Sequence, residues 1–174
     1  MQTDAEIVDA VLKGEKELFA ELVRRYEKAV RAVALDVSGD YHLAGDIAQD
    51  AFIKAYENLA SLRTPEAFGP WLLKIAKRIA FEQAKQIVKG NSPEIKLSEV
   101  VEKPNGQLDD EKKWLLAAVV KLPQVERQVV MLRYFGRNNV SDVARISGRS
   151  VGTVTKQLSR ARIRLRQMLE RSEK

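Results

Sequence analysis

The chain of 174 residues contains no cysteine and a single histidine, His42. Without thiols, disulfide frameworks, thiolate metal sites and cysteine nucleophiles are excluded. With one imidazole, a serine triad or a multi-histidine metal centre would have to rest on His42 alone. Long apolar runs are also missing; none approaches the ~20 residues of a membrane span. The opening MQTDAEIVDA lacks a basic n-region and an apolar h-region, so no secretory signal is expected. Alternating runs of Val, Ile and Thr long enough for a strand are absent as well. No catalytic residue, cofactor or metal site is expected.

What is present is charge, unevenly spread. The formal net charge is +6, with −2 over residues 1–86, −2 over 87–110 and +10 over 111–174. Between Asp142 and Glu170 there is no acidic residue, only Arg145, Arg149, Lys156, Arg160, Arg162, Arg164 and Arg166 among the charged side chains. A one-signed stretch of this kind attracts a polyanion.

The apolar spacing is helical almost throughout, predicting an all-α fold. Thr3 and Asp4 can cap a first helix through about Leu12. Further helices are expected over about 15–37, 43–60 and 66–86. Residues 88–108, with two glycines and two prolines, read as a linker between domains at 1–87 and 109–174. Helices resume over about 110–121, 123–135, 141–147 and 150–170.

The most specific pattern lies between Val140 and Leu165. A short helix meets Gly148, suited to a left-handed turn, and Ser150, a good N-cap for the long helix that follows. Val151, Val154, Leu158, Ala161 and Leu165 share the face expected to be buried. Gly152, Thr153, Lys156, Ser159 and Arg160 point away. Small polar groups at the start of such a helix admit it to a major groove, where Thr153, Lys156 and Gln157 could reach base edges. Arg149, Arg160, Arg162, Arg164 and Arg166 could anchor phosphates. An ordinary two-helix corner is the plainer alternative.

In the third helix, Leu43, Ile47, Ala51, Ala55 and Leu59 should be core. Asp46, Gln49, Asp50 and Ile53 form a mixed patch that suits either protein docking or plain solvation. In the fourth, Lys74, Lys77, Arg78 and Lys85 share an arc of about 100°. Phe68, Leu72, Ile75 and Ile79 lie opposite, with Trp71 at the margin. Basic groups beside an aromatic suit single-stranded DNA; a core tryptophan with solvated lysines fits equally well.

The segments SGDYHLAGDIAQDAFIKAYENL, FGPWLLKIAKRIAFEQAKQ, LPQVERQVVMLRYF and SGRSVGTVTKQLSRARIRLRQML resemble successive blocks of the bacterial extracytoplasmic-function (ECF) sigma factors. The resemblance implies a helical region 2 domain, a linker and a helix-turn-helix region 4 domain. It implies that Asp46, Gln49, Asp50 and Ile53 meet the β′ clamp helices of core RNA polymerase, with the β flap as a second contact. Arg63 in the 62–69 loop, with Trp71, Lys74, Lys77, Arg78 and Lys85, would melt and hold the −10 element. The helix from Ser150, with Arg149, Thr153, Thr155, Lys156, Gln157, Arg160, Arg162 and Arg164, would read the −35 element. The implied partners are core polymerase, duplex and single-stranded promoter DNA, and an anti-sigma factor. The implied protein is cytoplasmic, does not insert into membranes, and is a monomer when free.

Four departures from the family pattern stand out. Lys77-Arg78 replaces a common Arg-Asn, Glu82 a common Asp a turn later, Thr155-Lys156-Gln157 replaces Lys-Ser-Arg, and residues 136–140 read Gly-Arg-Asn-Asn-Val in place of Glu-Gly-Leu-Ser-Tyr. A stand-alone helix-turn-helix regulator and a sigma mimic that occupies an anti-sigma factor are the competing readings.

Overall fold

The computed structural model describes residues 2–91, 115 and 117–172. Among them there is no strand. Helix α1 spans Asp4–Leu12 and opens with a capping box: the Glu6 N–H donates to the Thr3 hydroxyl, and the Thr3 N–H to the Glu6 carboxylate. The expected helix from residue 15 begins instead as a tight 3-10 turn at Lys16–Leu18, then continues as α2, Phe19–Ser38. Gly39 closes α2 in the left-handed conformation at φ 66°. One residue on, Asp40 caps α3, Tyr41–Glu57, by accepting from the His42 and Leu43 N–H groups. His42 is therefore a helix-start residue. A second break, with 3-10 turns at Leu59–Ser61 and Pro65–Ala67, leads into α4, Phe68–Asn91.

Helices α2, α3 and α4 pack mutually, with α1 against α2. Ile47, Ala51, Ala55 and Leu59 are buried as expected, and Leu43 is half-buried. Phe68, Leu72 and Ile79 are buried, but so are Leu73, Ala76, Ala80 and Ala84. The buried face of α4 is wider than one stripe because α2, α3 and a helix of the C-terminal module all pack on it.

Helix α4 runs four residues past 87, so the chain is still helical where the linker was expected to start. Residues 92–108 of that linker, and residues 110–114 and 116 of the helix expected at 110–121, lie outside the described residues. Residues 117–120 are helical. Then α5, Gln124–Val130, passes into a single π-helical turn at Met131–Phe135, closed by Gly136 N–H donating to the Met131 carbonyl at 2.8 Å. A Cβ at Gly136 would lie 2.6 Å from the Leu132 carbonyl oxygen, so this close turn requires glycine. The Asn138 amide fills the turn by donating to the Leu132 and Gly136 carbonyls.

Asn139 caps α6, Val140–Ser147, and Gly148 ends it at φ 66° as the spacing predicts. Ser150 caps α7, Val151–Ser172, accepting from the Thr153 N–H at 3.2 Å. Val154, Leu158 and Ala161 are buried and Leu165 half-buried. Val151 was expected to join them and does not; it is 50% exposed. At the first position of α7 it precedes the turn where the helix meets α5 and α6.

Candidate nucleic-acid interface

Three surfaces carry the expected functional side chains. The first is the outer face of α3. Asp46, Gln49 and Ile53 are exposed, and Asp50 is half-buried at its edge. The Gln83 amide of α4 donates to the Asp50 carboxylate at 3.2 Å, fixing one acidic group of the patch. An acidic rim around an exposed isoleucine can dock a basic, partly apolar helix.

The second surface is an open groove of about 310 Å³ where the loop before α4 meets its first turn. Leu62, Arg63, Pro70, Trp71 and Lys74 line it. Trp71 is half-buried, its ring centroid 6.0 Å from that of Phe68, so the indole is supported from below. Pro65 starts the preceding turn, and Gly69 lets the first turn of α4 press on Tyr26, where a Cβ would lie 2.9 Å from the ring. Arg63, Lys74, Arg78 and Lys85 are exposed. The Arg78 guanidinium donates to Glu82 at 2.8 Å, which raises the arginine's pKa and lowers the carboxylate's. Lys77 departs from the group. It is half-buried, its ammonium stands 5.9 Å over the Phe81 ring, and it lies near enough to Asp36 to favour that carboxylate's charged form.

The third surface is the outer face of α7. Thr153, Thr155, Lys156, Arg160, Arg162 and Arg164 are exposed. The Thr155 hydroxyl donates back to the Val151 carbonyl at 2.9 Å, and the Thr153 and Ser150 hydroxyls pair at 2.8 Å. Arg149 is half-buried between two amides, donating to Gln128 at 2.8 Å and Gln157 at 3.4 Å. Burial pushes its pKa down. Arg149 thus braces α7 on α5 and aims Gln157; no sequence signal marks Gln128 as its partner. Arg164 also turns inward, its Nε 3.0 Å from the buried Glu126 carboxylate. Among the described residues, Lys156, Arg160 and Arg162 have no acidic partner.

Two family models match the chain: Sigma-70 region 2 over residues 22–86 and Sigma-70 region 4 over 112–165. The ECF RNA polymerase sigma factor SigW of Bacillus subtilis is 28% identical over 93% of this chain and 94% of its own. The ECF RNA polymerase sigma-E factor of Escherichia coli K12 is 31% identical over 92% and 91%. The chain belongs to the ECF sigma factors. A solved structure, the sigma factor RpoE with the anti-sigma factor NepR from Bartonella quintana, superposes on this ECF sigma factor with a TM-score of 0.53 at 26% identity, covering 89% of this chain and 98% of that one. As in that family, region 2 and region 4 domains joined by a linker direct RNA polymerase to promoters. The relatives are initiation factors rather than enzymes. Among the described residues no group of acidic or histidine side chains could hold a metal ion, and no helix is long and apolar enough to cross a membrane.

Proposed function

We propose that this ECF sigma factor divides promoter recognition between its two modules, with α7 reading the −35 duplex and the Trp71 groove capturing the melted −10 strand. The observation that carries the reading is the outward face of α7. Thr153, Lys156 and Arg160 stand exposed there behind a glycine turn and a serine cap, with no acidic neighbour on the helix's first five turns. Lys156 and Gln157 meet base edges. Arg149, Ser150, Thr153 and Thr155 shape the approach, Arg160 and Arg162 hold phosphates, and Arg164, paired with Glu126, braces the helix.

In the N-terminal module, Trp71 supplies a π-face for an unstacked base. Arg63, Lys74, Arg78 and Lys85 follow the strand's phosphates, while Lys77 stands apart from them over the Phe81 ring. Asp46, Gln49, Asp50 and Ile53 dock on the β′ clamp helices, and the C-terminal module on the β flap. The N-terminal domain spans residues 1–87, with α4 continuing to Asn91 into the expected linker of 88–108. Neither module needs to bind DNA tightly alone, because the linker raises the effective concentration of the second once the first is bound. The chain makes and breaks no bond; stacking lost on melting is offset by capture of flipped bases. It acts in the cytoplasm, where the polymerase is, and a protein of the anti-sigma class holds it when idle, as NepR accompanies RpoE in the Bartonella structure.

Run-off transcription tests this. Purified chain is added to sigma-free core polymerase on fragmented DNA from its own genome. Discrete start sites that need the chain support the reading. Absence of both transcripts and core binding overturns it, in favour of a stand-alone regulator or a mimic.

A further inference from the structure

Among the described residues, three arginines of the C-terminal module end on carboxylates. Arg127 lies 2.6 Å from Asp36 and Arg164 3.0 Å from Glu126. Arg145 donates to Asp4 at 2.8 Å, where Arg25 and Tyr26 also donate. Arg149 differs. Its Nη2 donates to Gln128 Oε1 of α5 at 2.8 Å, and its Nη1 to Gln157 Oε1 of α7 at 3.4 Å. Burial alone acts on its pKa, downward, and among the described residues no carboxylate offsets it. A half-buried cation held by two neutral amides is more than a phosphate anchor needs.

The backbone around Arg149 is fixed as well. Gly148 precedes it in the left-handed conformation, the Arg149 N–H donates to the Ala144 carbonyl at 2.9 Å, and Ser150 caps α7 just after it. The side chain thus starts from a set point, and Gln128 sets where it ends. A guanidinium carries five donors and no acceptor. Only the oxygen of each amide can face it, which settles the sense of both glutamines. For Gln157 the consequence reaches the DNA face. Its oxygen is engaged within the protein, and its NH2 group is what remains to turn outward.

Glutamine ordinarily reads adenine with both ends of its amide, the oxygen accepting from N6 and the nitrogen donating to N7. Gln157, with its oxygen occupied, lacks the acceptor for that pair. Its N–H groups match guanine, through O6 and N7, and thymine, through O4. Adenine and cytosine turn an amino group toward it instead. A buried donor facing a donor is left unpaired, which is what makes such a mismatch discriminating.

We propose that Gln128, acting through Arg149, presets Gln157 as a hydrogen-bond donor and so makes it select a keto base, guanine or thymine, at its position in the −35 duplex. Gln128 is a positioning residue, on α5 and outside the helix-turn-helix of α6 and α7. The inference rests on the sigma reading above and adds to it the hydrogen-bond polarity of one contact.

The test uses the full chain with core polymerase. The probes are −35 duplexes from a promoter mapped by run-off transcription, with every base pair replaced in turn, and binding is read by fluorescence anisotropy. Gln157→Ala marks the position that Gln157 reads: preference vanishes there and persists elsewhere. In the parent that position should favour guanine or thymine over adenine by about tenfold. Gln128→Leu releases Arg149 and with it the Gln157 oxygen, so adenine should rise to within about twofold of the preferred base at that position and no other. Gln128→Glu keeps an acceptor for Arg149; it should retain the keto preference while its charge weakens binding to all duplexes alike. A role confined to packing predicts a uniform loss in both variants and overturns the proposal. Arg149→Lys, which keeps the charge but cannot bridge two amides, replaces Gln128→Leu if circular dichroism shows that variant unfolded. Adenine preferred by the parent at the marked position overturns the proposal, as does a Gln157→Ala that alters no position. A parent that binds no duplex in the presence of core strikes the sigma reading itself.

Discussion

Glu126 and Arg164 meet at 3.0 Å across the packing of α5 on α7, with the carboxylate buried and the guanidinium half in solvent. Removing the arginine leaves a buried acid without its cation. Arg164→Ala should therefore destabilise the C-terminal module by about 1–2 kcal/mol, as for a buried polar group left unpaired. That corresponds to several degrees in the melting temperature, read by calorimetry. Arg162→Ala, on the same helix but fully outward, should leave the melting temperature unchanged.

Promoter contacts should separate by type. Lys156→Ala should relax base preference in the −35 element and cost about 1–3 kcal/mol. Arg160→Ala should weaken all sequences alike and reduce the salt slope of binding by about 1. Holoenzyme binding to a −35 duplex, measured by fluorescence anisotropy at several salt concentrations, decides both. A sequence-dependent loss at Arg160, or none at Lys156, would exchange or remove their roles.

Trp71→Ala should slow promoter melting about tenfold, through the loss of one base–aromatic stack. Permanganate footprinting of the −10 region reads this directly. Trp71→Phe should recover part of the rate, since the ring remains.

Reversing Asp50 to Lys should weaken core binding in a pull-down or titration while circular dichroism stays the same. Asp50 is also held by Gln83, so Gln83→Ala is the control. Equal loss in both would mean that the packing of α3 on α4, not the acidic charge, carries the contact.

Much of this molecule is legible from local signals. The threonine cap of α1, the left-handed Gly148 and the Ser150 cap depend on residues within four positions of one another, and each stands where the spacing puts it. The exposed Asp46, Gln49 and Ile53 follow from the buried Ile47, Ala51 and Ala55 on the same helix. The seam between modules is not legible. Asp36 and Arg127 are 91 positions apart, and Asp4 and Arg145 are 141 apart, so no period links them. In the sequence both arginines belong to a basic region, and only the fold spends them on acids. Lys77 shares the arc of Lys74 and Arg78, yet it is half-buried over the Phe81 ring and near Asp36 of α2, a neighbour 41 positions away that no helical period reveals. Val151 reads as core because a helical wheel carries no information about where a helix's packing partners end.

The Asp4 carboxylate accepts from Arg25 and Tyr26 within its own module and from Arg145 in the other. The first turn of α1 is thereby thermodynamically coupled to the far half of the chain. Local unfolding of α1 and separation of the modules become one cooperative event rather than two, and linkage makes the coupling reciprocal. Amide exchange in the first turn of α1 should then slow or quicken with the contact that Arg145 makes, so the amino terminus reports on a side chain 141 positions away.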